Sequence, residues 1–134
     1  LLSTGRYMAN QMAYVDAKTY HYHFSYVASE KVNKQPGAAH ADDIAFVMKT
    51  LEVELENVSE KDKQISNLMH NYWVQFAKTG NPNLPGQPKW IPYNQDNGSV
   101  LEIGDTIALK NNFLNERINY HINRGTNFLQ SMTK

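Results

Sequence analysis

The sequence holds 134 residues, 41% hydrophobic and 11% aromatic, which is enough to build one buried core. Thirteen basic and thirteen acidic side chains cancel, so no broad field draws the chain to nucleic acid or to an anionic membrane surface. The absence of cysteine excludes a disulfide framework and a thiolate metal site, and leans toward a reducing compartment such as the cytoplasm.

The chain opens on Leu1-Leu2-Ser3-Thr4-Gly5, which lacks the basic start and apolar body of a signal peptide and also an initiator methionine, as expected of a piece cut from a longer protein. No apolar run approaches the roughly 20 residues of a membrane span. Residues 3 to 16 read as a helix, with Ser3 or Thr4 as cap and Tyr7, Met8, Met12 and Val15 recurring on one side. From Tyr20 to Val27 the aromatics Tyr20, Tyr22, Phe24 and Tyr26 alternate with His21, His23 and Ser25, the pattern of a strand. His21 and His23 share a face and would suit a metal, but no third ligand stands at a predictable spacing; satisfied or partly exposed histidines are the simpler reading.

Residues 29 to 37 are polar and close on Pro36-Gly37, a surface connection of the kind that often carries function. Three small residues, Gly37-Ala38-Ala39, then bring in His40, followed by Asp42, Asp43 and the apolar Ile44-Ala45-Phe46-Val47. Small residues let the backbone pass close to a neighbour and the apolar run anchors the turn, so the loop holds a histidine still. Such a group takes and returns a proton at working pH. Ile44 to Leu51 suits a short helix or turn. Glu52, Glu54 and Glu56 alternate with apolar residues as on a solvated edge, without metal-ligand character. Asp42 reads as solvated.

Ser59 and Asp62 form a variant capping box that opens the strongest helix, with a stripe of Ile65, Leu68, Met69, Tyr72, Trp73, Phe76 and Ala77, stopped by Gly80 and Pro82. These aromatics read as core. Asn81 to Pro92 is turn-rich, with Trp90 and Tyr93 folded back as plugs. Ser99 to Ile103 and Thr106 to Leu109 read as short strands about the turn Gly104-Asp105. A last helix runs from about Asn112 to Asn123 and beyond Gly125, burying Phe113 or Leu114, Ile118 and Ile122.

Three of these stretches, in this order, resemble the type-B carboxylesterase/lipase family of α/β-hydrolases. Gly37, Ala38, His40, Asp43, Ile44, Phe46 and Val47 fit its histidine loop; Tyr72-Trp73-Val74-Gln75-Phe76-Ala77-Lys78-Thr79-Gly80-Asn81-Pro82-Asn83 is similar to its Tyr-Trp-x-x-Phe-Ala segment; and Trp90-Ile91-Pro92-Tyr93 resembles its Trp-Pro-x-Tyr. Each piece alone is unspecific; the ordered set is specific. Where family members end with Arg followed by an aromatic pair, this chain has Arg117 followed by Tyr120-His121. The resemblance implies that residues 1–134 are the C-terminal part of one α/β-hydrolase domain, a few sheet strands with flanking helices, aligned to the last quarter of a full-length member.

It also implies a Ser-His-acid ester hydrolase with no cofactor and no metal. His40 would be the general base, Asp43 an acid supporting the loop, and a small carboxylic ester the substrate. A nucleophile of this class sits on Gly-x-Ser-x-Gly, and none of the seven serines has glycine two residues to each side. The serine and the triad acid therefore belong to the remainder of the domain, and the chain alone is expected to be inactive. Its unpaired sheet edges are expected to join a second copy unless that remainder covers them. Two other readings stay open: a non-catalytic binding or adhesion relative, and an independent small α/β binding domain.

Overall fold

The computed structural model describes residues 2–15 and 17–132. In chain order these form α1 (Leu2–Tyr14), β1 (Tyr22–Phe24), a 3₁₀ turn (Ser29–Lys31), α2 (Asp42–Met48), α3 (Leu51–Glu54), α4 (Glu60–Thr79), β2 (Val100–Ile103), β3 (Ile107–Lys110) and α5 (Asn115–Met132). The strands make one sheet in the order β1-β2-β3, so the class is α/β. Internal contacts divide the chain into two compact units. One comprises Leu1–His23, Ile91–Leu101 and Leu109–Lys134, the other Phe24–Trp90 and Glu102–Ala108.

In the first unit α1 packs on α5, with Ala9 and Ile118 buried. Ser3 and Thr4 fall inside the first turn of α1 rather than capping it, and the predicted end at residue 16 lies outside the described residues. Tyr7, Met8, Met12 and Val15 are exposed. The buried side of α1 carries Arg6 instead, whose guanidinium donates to the Asn115 side-chain oxygen and to the Phe113 carbonyl at 3.0 Å. A long cation whose two terminal nitrogens bond to oxygens occupies a place that periodicity assigns to an apolar residue, although its Nε is buried without a partner among the described residues. Asn112 and Leu114 adopt left-handed φ of 52° and 50°, so α5 begins at Asn115, later than predicted, and runs through Gly125. Phe113 is half-buried, 5.1 Å from the His23 ring, while Leu114 is exposed. Tyr93 is pinned as expected of a plug, its hydroxyl donating to Asn10 Oδ1 at 2.7 Å and its N–H to the Thr19 carbonyl at 2.7 Å.

The second unit is built on α4. Ser59 caps the helix as its sequence predicts: its hydroxyl accepts from the Asp62 N–H, and the Asp62 carboxylate accepts from the Ser59 N–H at 2.8 Å. Ile65, Met69 and Tyr72 are buried, but Trp73 and Phe76 are 46% and 43% exposed, so the predicted stripe is core only along its first half. Trp90 folds back edge-on to Tyr72, and Asn83 holds it by accepting its N–H and donating to its carbonyl, each at 2.8 Å.

The strand predicted from Tyr20 to Val27 is shorter because it bulges. The N–H groups of Ser25 and Tyr26 both donate to the Ile103 carbonyl, at 2.9 and 3.1 Å. The extra residue ends the alternation and turns Tyr26 into the core, where its ring meets Phe24 and Phe46. The acidic stretch at Glu52, Glu54 and Glu56 is solvated as expected, but it begins on a helical turn. Leu51 and Leu55, four residues apart, are buried around the helical turn α3, while Glu52, Glu54 and Glu56 remain exposed. The turn between β2 and β3 forms at Gly104-Asp105 as expected. Among the described residues no helix is long and apolar enough to cross a membrane.

Candidate active site

His40 lies in the turn that feeds α2, and its side chain is exposed. Ala41 follows in the left-handed region at φ 72°, which reverses the chain so that α2 starts one residue later. A left-handed alanine costs on the order of 1 kcal/mol, so the neighbours must hold the turn. They do so through polar bonds. Asp42 Oδ2 accepts from the Ala39 N–H at 2.8 Å and from Gln35 Nε2 at 2.9 Å, and Lys31 Nζ stands 3.7 Å from its other oxygen. Burial pushes the Asp42 carboxyl up, but the Ala39 N–H, the Gln35 amide and the Lys31 ammonium outweigh it and hold the group below the ordinary carboxylate range. Asp42 is therefore a bonded part of the loop, not the solvated residue its position suggests.

The far end of α2 is held from α4. Ser66 donates to the Phe46 carbonyl at 2.8 Å, and His70 Nδ1 lies 2.9 Å from the Val47 carbonyl, which fixes that nitrogen as the protonated one. These two polar residues interrupt the helix's hydrophobic pattern, and nothing in the spacing marks them as supports. A further tie fixes the chain before the loop. Asp62, fully buried, accepts from the Tyr26 hydroxyl at 2.8 Å and the Ser29 N–H at 3.0 Å as well as from its own cap. Burial raises its pKa, yet the Ser59 hydroxyl, the Ser29 and Ser59 N–H groups and the Tyr26 hydroxyl bring it below the ordinary value.

His40 sits at the margin of a cleft of about 300 Å³ whose lining also includes Tyr26, Lys31, Phe46, Leu51 and Leu55. Within the described residues no group hydrogen-bonds its imidazole, and the residue is exposed. Asp43 is half-buried in the first turn of α2. Of the two histidines considered as ligands, His23 lies at a tilted angle to Phe113 and His21 packs edge-on to Tyr93, 6.0 Å between centroids. Among the described residues no cluster of three ligating side chains exists.

The chain is similar to known proteins in both sequence and fold. The sequence pattern of the Carboxylesterase family matches residues 3–121, from α1 into α5. Rat bile salt-activated lipase is 35% identical over 113 residues, covering 81% of this chain and 18% of that protein. Rat carboxylesterase 1C is 35% identical over 102 residues, covering 74% and 18%. Among solved structures, the carboxylesterase of Geobacillus stearothermophilus superposes with a TM-score of 0.67 at 26% identity, over 81% of this chain and 23% of that one. An esterase from Clostridium hathewayi shares the fold with a TM-score of 0.72 at 22% identity, over 83% and 22%. The chain thus spans about a fifth of the length of the relatives it matches. On this agreement of sequence and fold, the chain belongs to the carboxylesterase family, with the α/β-hydrolase fold of those esterases.

Proposed function

We propose that this chain supplies the C-terminal part of a carboxylic-ester hydrolase and that His40 is the general base of its Ser-His-acid triad. The observation that carries the reading is an exposed imidazole, bonded to nothing among the described residues, on a backbone that is pinned on both sides and borders a cleft. In the reaction His40 Nε2 takes the serine proton as the oxygen attacks the ester carbonyl. The imidazolium then returns that proton to the departing alcohol, and a second cycle with water releases the acid. Serine, triad acid and oxyanion donors come from the rest of the domain, which docks where β1 leaves the sheet open. Asp43, entering α2 three residues on, supports the loop and does not replace the triad acid.

The test is His40→Gln in the complete hydrolase domain, assayed on a p-nitrophenyl ester. Proton transfer of this kind is worth ~10²–10⁴-fold, so turnover falls by that order while urea stability changes little, because the side chain is exposed. Near-normal turnover refutes the role, whereas a wild-type domain with no turnover favours a non-catalytic relative on the same fold. Residues 1–134 alone give no turnover.

A further inference from the structure

We propose that Asp42 and Gln35 are positioning residues for His40, closing a polar ring around it that fixes the direction of the imidazole. The inference rests on the reading of His40 as the proton carrier. Asp42 Oδ2 reaches back across His40 to the Ala39 N–H at 2.8 Å, and the same oxygen takes Gln35 Nε2 at 2.9 Å. Gln35 Nε2 also donates to the Gly37 carbonyl at 3.0 Å. The backbone is thus tied at positions 37, 39 and 42, on both sides of the histidine.

Packing does not do this work. A Cβ placed on Gly37 would meet nothing within 4 Å, and Ala39 and Ala41 are exposed. Without the ring, Gly37 and the left-handed Ala41 leave the loop free to rotate, and an exposed imidazole swings with it. A base must lie within hydrogen-bond reach of the serine proton, and displacement of about 1 Å costs ~10²-fold in rate. Lys31 Nζ lies 3.7 Å from Asp42 Oδ1, whereas both bonds that tie the loop end on Oδ2. The acceptor geometry at Oδ2, not the negative charge, is therefore what the loop uses.

The experiment compares Asp42→Ala, Asp42→Asn and Gln35→Ala in the complete domain, with kcat, KM and hydrogen exchange of the Ala39 amide. Asp42→Ala lowers kcat by roughly 10–100-fold at nearly constant KM and speeds Ala39 exchange about tenfold. Asp42→Asn keeps an acceptor oxygen and restores kcat to within about threefold, while Gln35→Ala falls between. Wild-type kcat in Asp42→Ala overturns the inference, as does an Asp42→Asn variant as impaired as Asp42→Ala, which makes charge the requirement. Should Asp42→Ala fail to fold, an unchanged kcat and Ala39 exchange in Gln35→Ala overturn it. If His40→Gln keeps its turnover the base assignment fails, and Ala39 exchange still reports whether the ring exists.

Discussion

Lowering the pH destabilises the first unit through His21, and the loss is calculable. The ring lies against Gly5, where an added Cβ would stand 3.2 Å from its Nε2, and edge-on to Tyr93. Burial above all, then the Arg6 guanidinium, then His23, drops its pKa from 6.5 to about 4. The unfolded chain binds this proton near pH 6.5 and the folded chain only near pH 4. His21 therefore costs nothing above pH 6.5, and stability falls as pH descends between those values. The loss is about 2 kcal/mol at pH 5 and approaches about 3 kcal/mol below pH 4. Asp42 and Asp62 have depressed pKa values, so their stabilisation is lost in a separate window, as pH falls from their ordinary value of 3.8 through lower folded values. Urea unfolding followed by far-ultraviolet circular dichroism at pH 7, 6, 5 and 4.5 separates the two. His21→Gln removes the slope between pH 6.5 and 4.5. An equal slope in wild type and His21→Gln, or none in wild type, refutes the assignment.

Asp62→Ala leaves the Ser59 cap bond to the backbone N–H but removes the reciprocal half of the capping box together with the acceptor for Tyr26 and Ser29, and should cost about 3 kcal/mol or more in urea, well beyond a single lost cap of ~1 kcal/mol. Gly104→Ala places a Cβ 2.7 Å from Ser25 Oγ and should cost about 1–3 kcal/mol. Adding Ser25→Ala should recover part of that loss; a double-mutant cycle with no coupling contradicts the close approach. Ala41→Gly relieves the left-handed alanine and should change stability by ~0.5–1 kcal/mol in the favourable direction, read as an increase in urea midpoint.

The elements that the sequence made legible are those whose signal is local. Ser59 with Asp62, Gly80 after Thr79 and the turn at Gly104 each depend on residues within a few positions, and each stands where the pattern puts it. What escaped depends on partners distant in sequence, or on backbone conformations that residue type does not announce. Lys49 at φ 58° ends α2 in a position usually given to glycine, so the break between α2 and α3 carries no visible mark. The bulge at Ser25 and Tyr26 needs the Ile103 carbonyl, 77 or more residues away, to exist at all. The exposed methionines of α1 were misleading for the same reason: Arg6 buries instead because Asn115 and the Phe113 carbonyl receive it.

The candidate site shows the same division at finer scale. His40 was legible because a family pattern marks it, and its exposure beside a cleft suits the role. Its supports were not, because each is an ordinary polar residue whose meaning lies in what it reaches. Asp42 looked like the residue solvent would take, yet it bonds backward over the histidine; Ser66 and His70 looked like interruptions of a helix face, yet they hold the last turn of α2. A rigid histidine loop thus draws on carboxylate, amide, hydroxyl and imidazole groups from three segments of the second unit. Each bond is worth about 1 kcal/mol in stability, small beside the effect that a displaced base has on rate. Substitutions at these positions should therefore separate activity from stability, lowering turnover far more than they lower the urea midpoint.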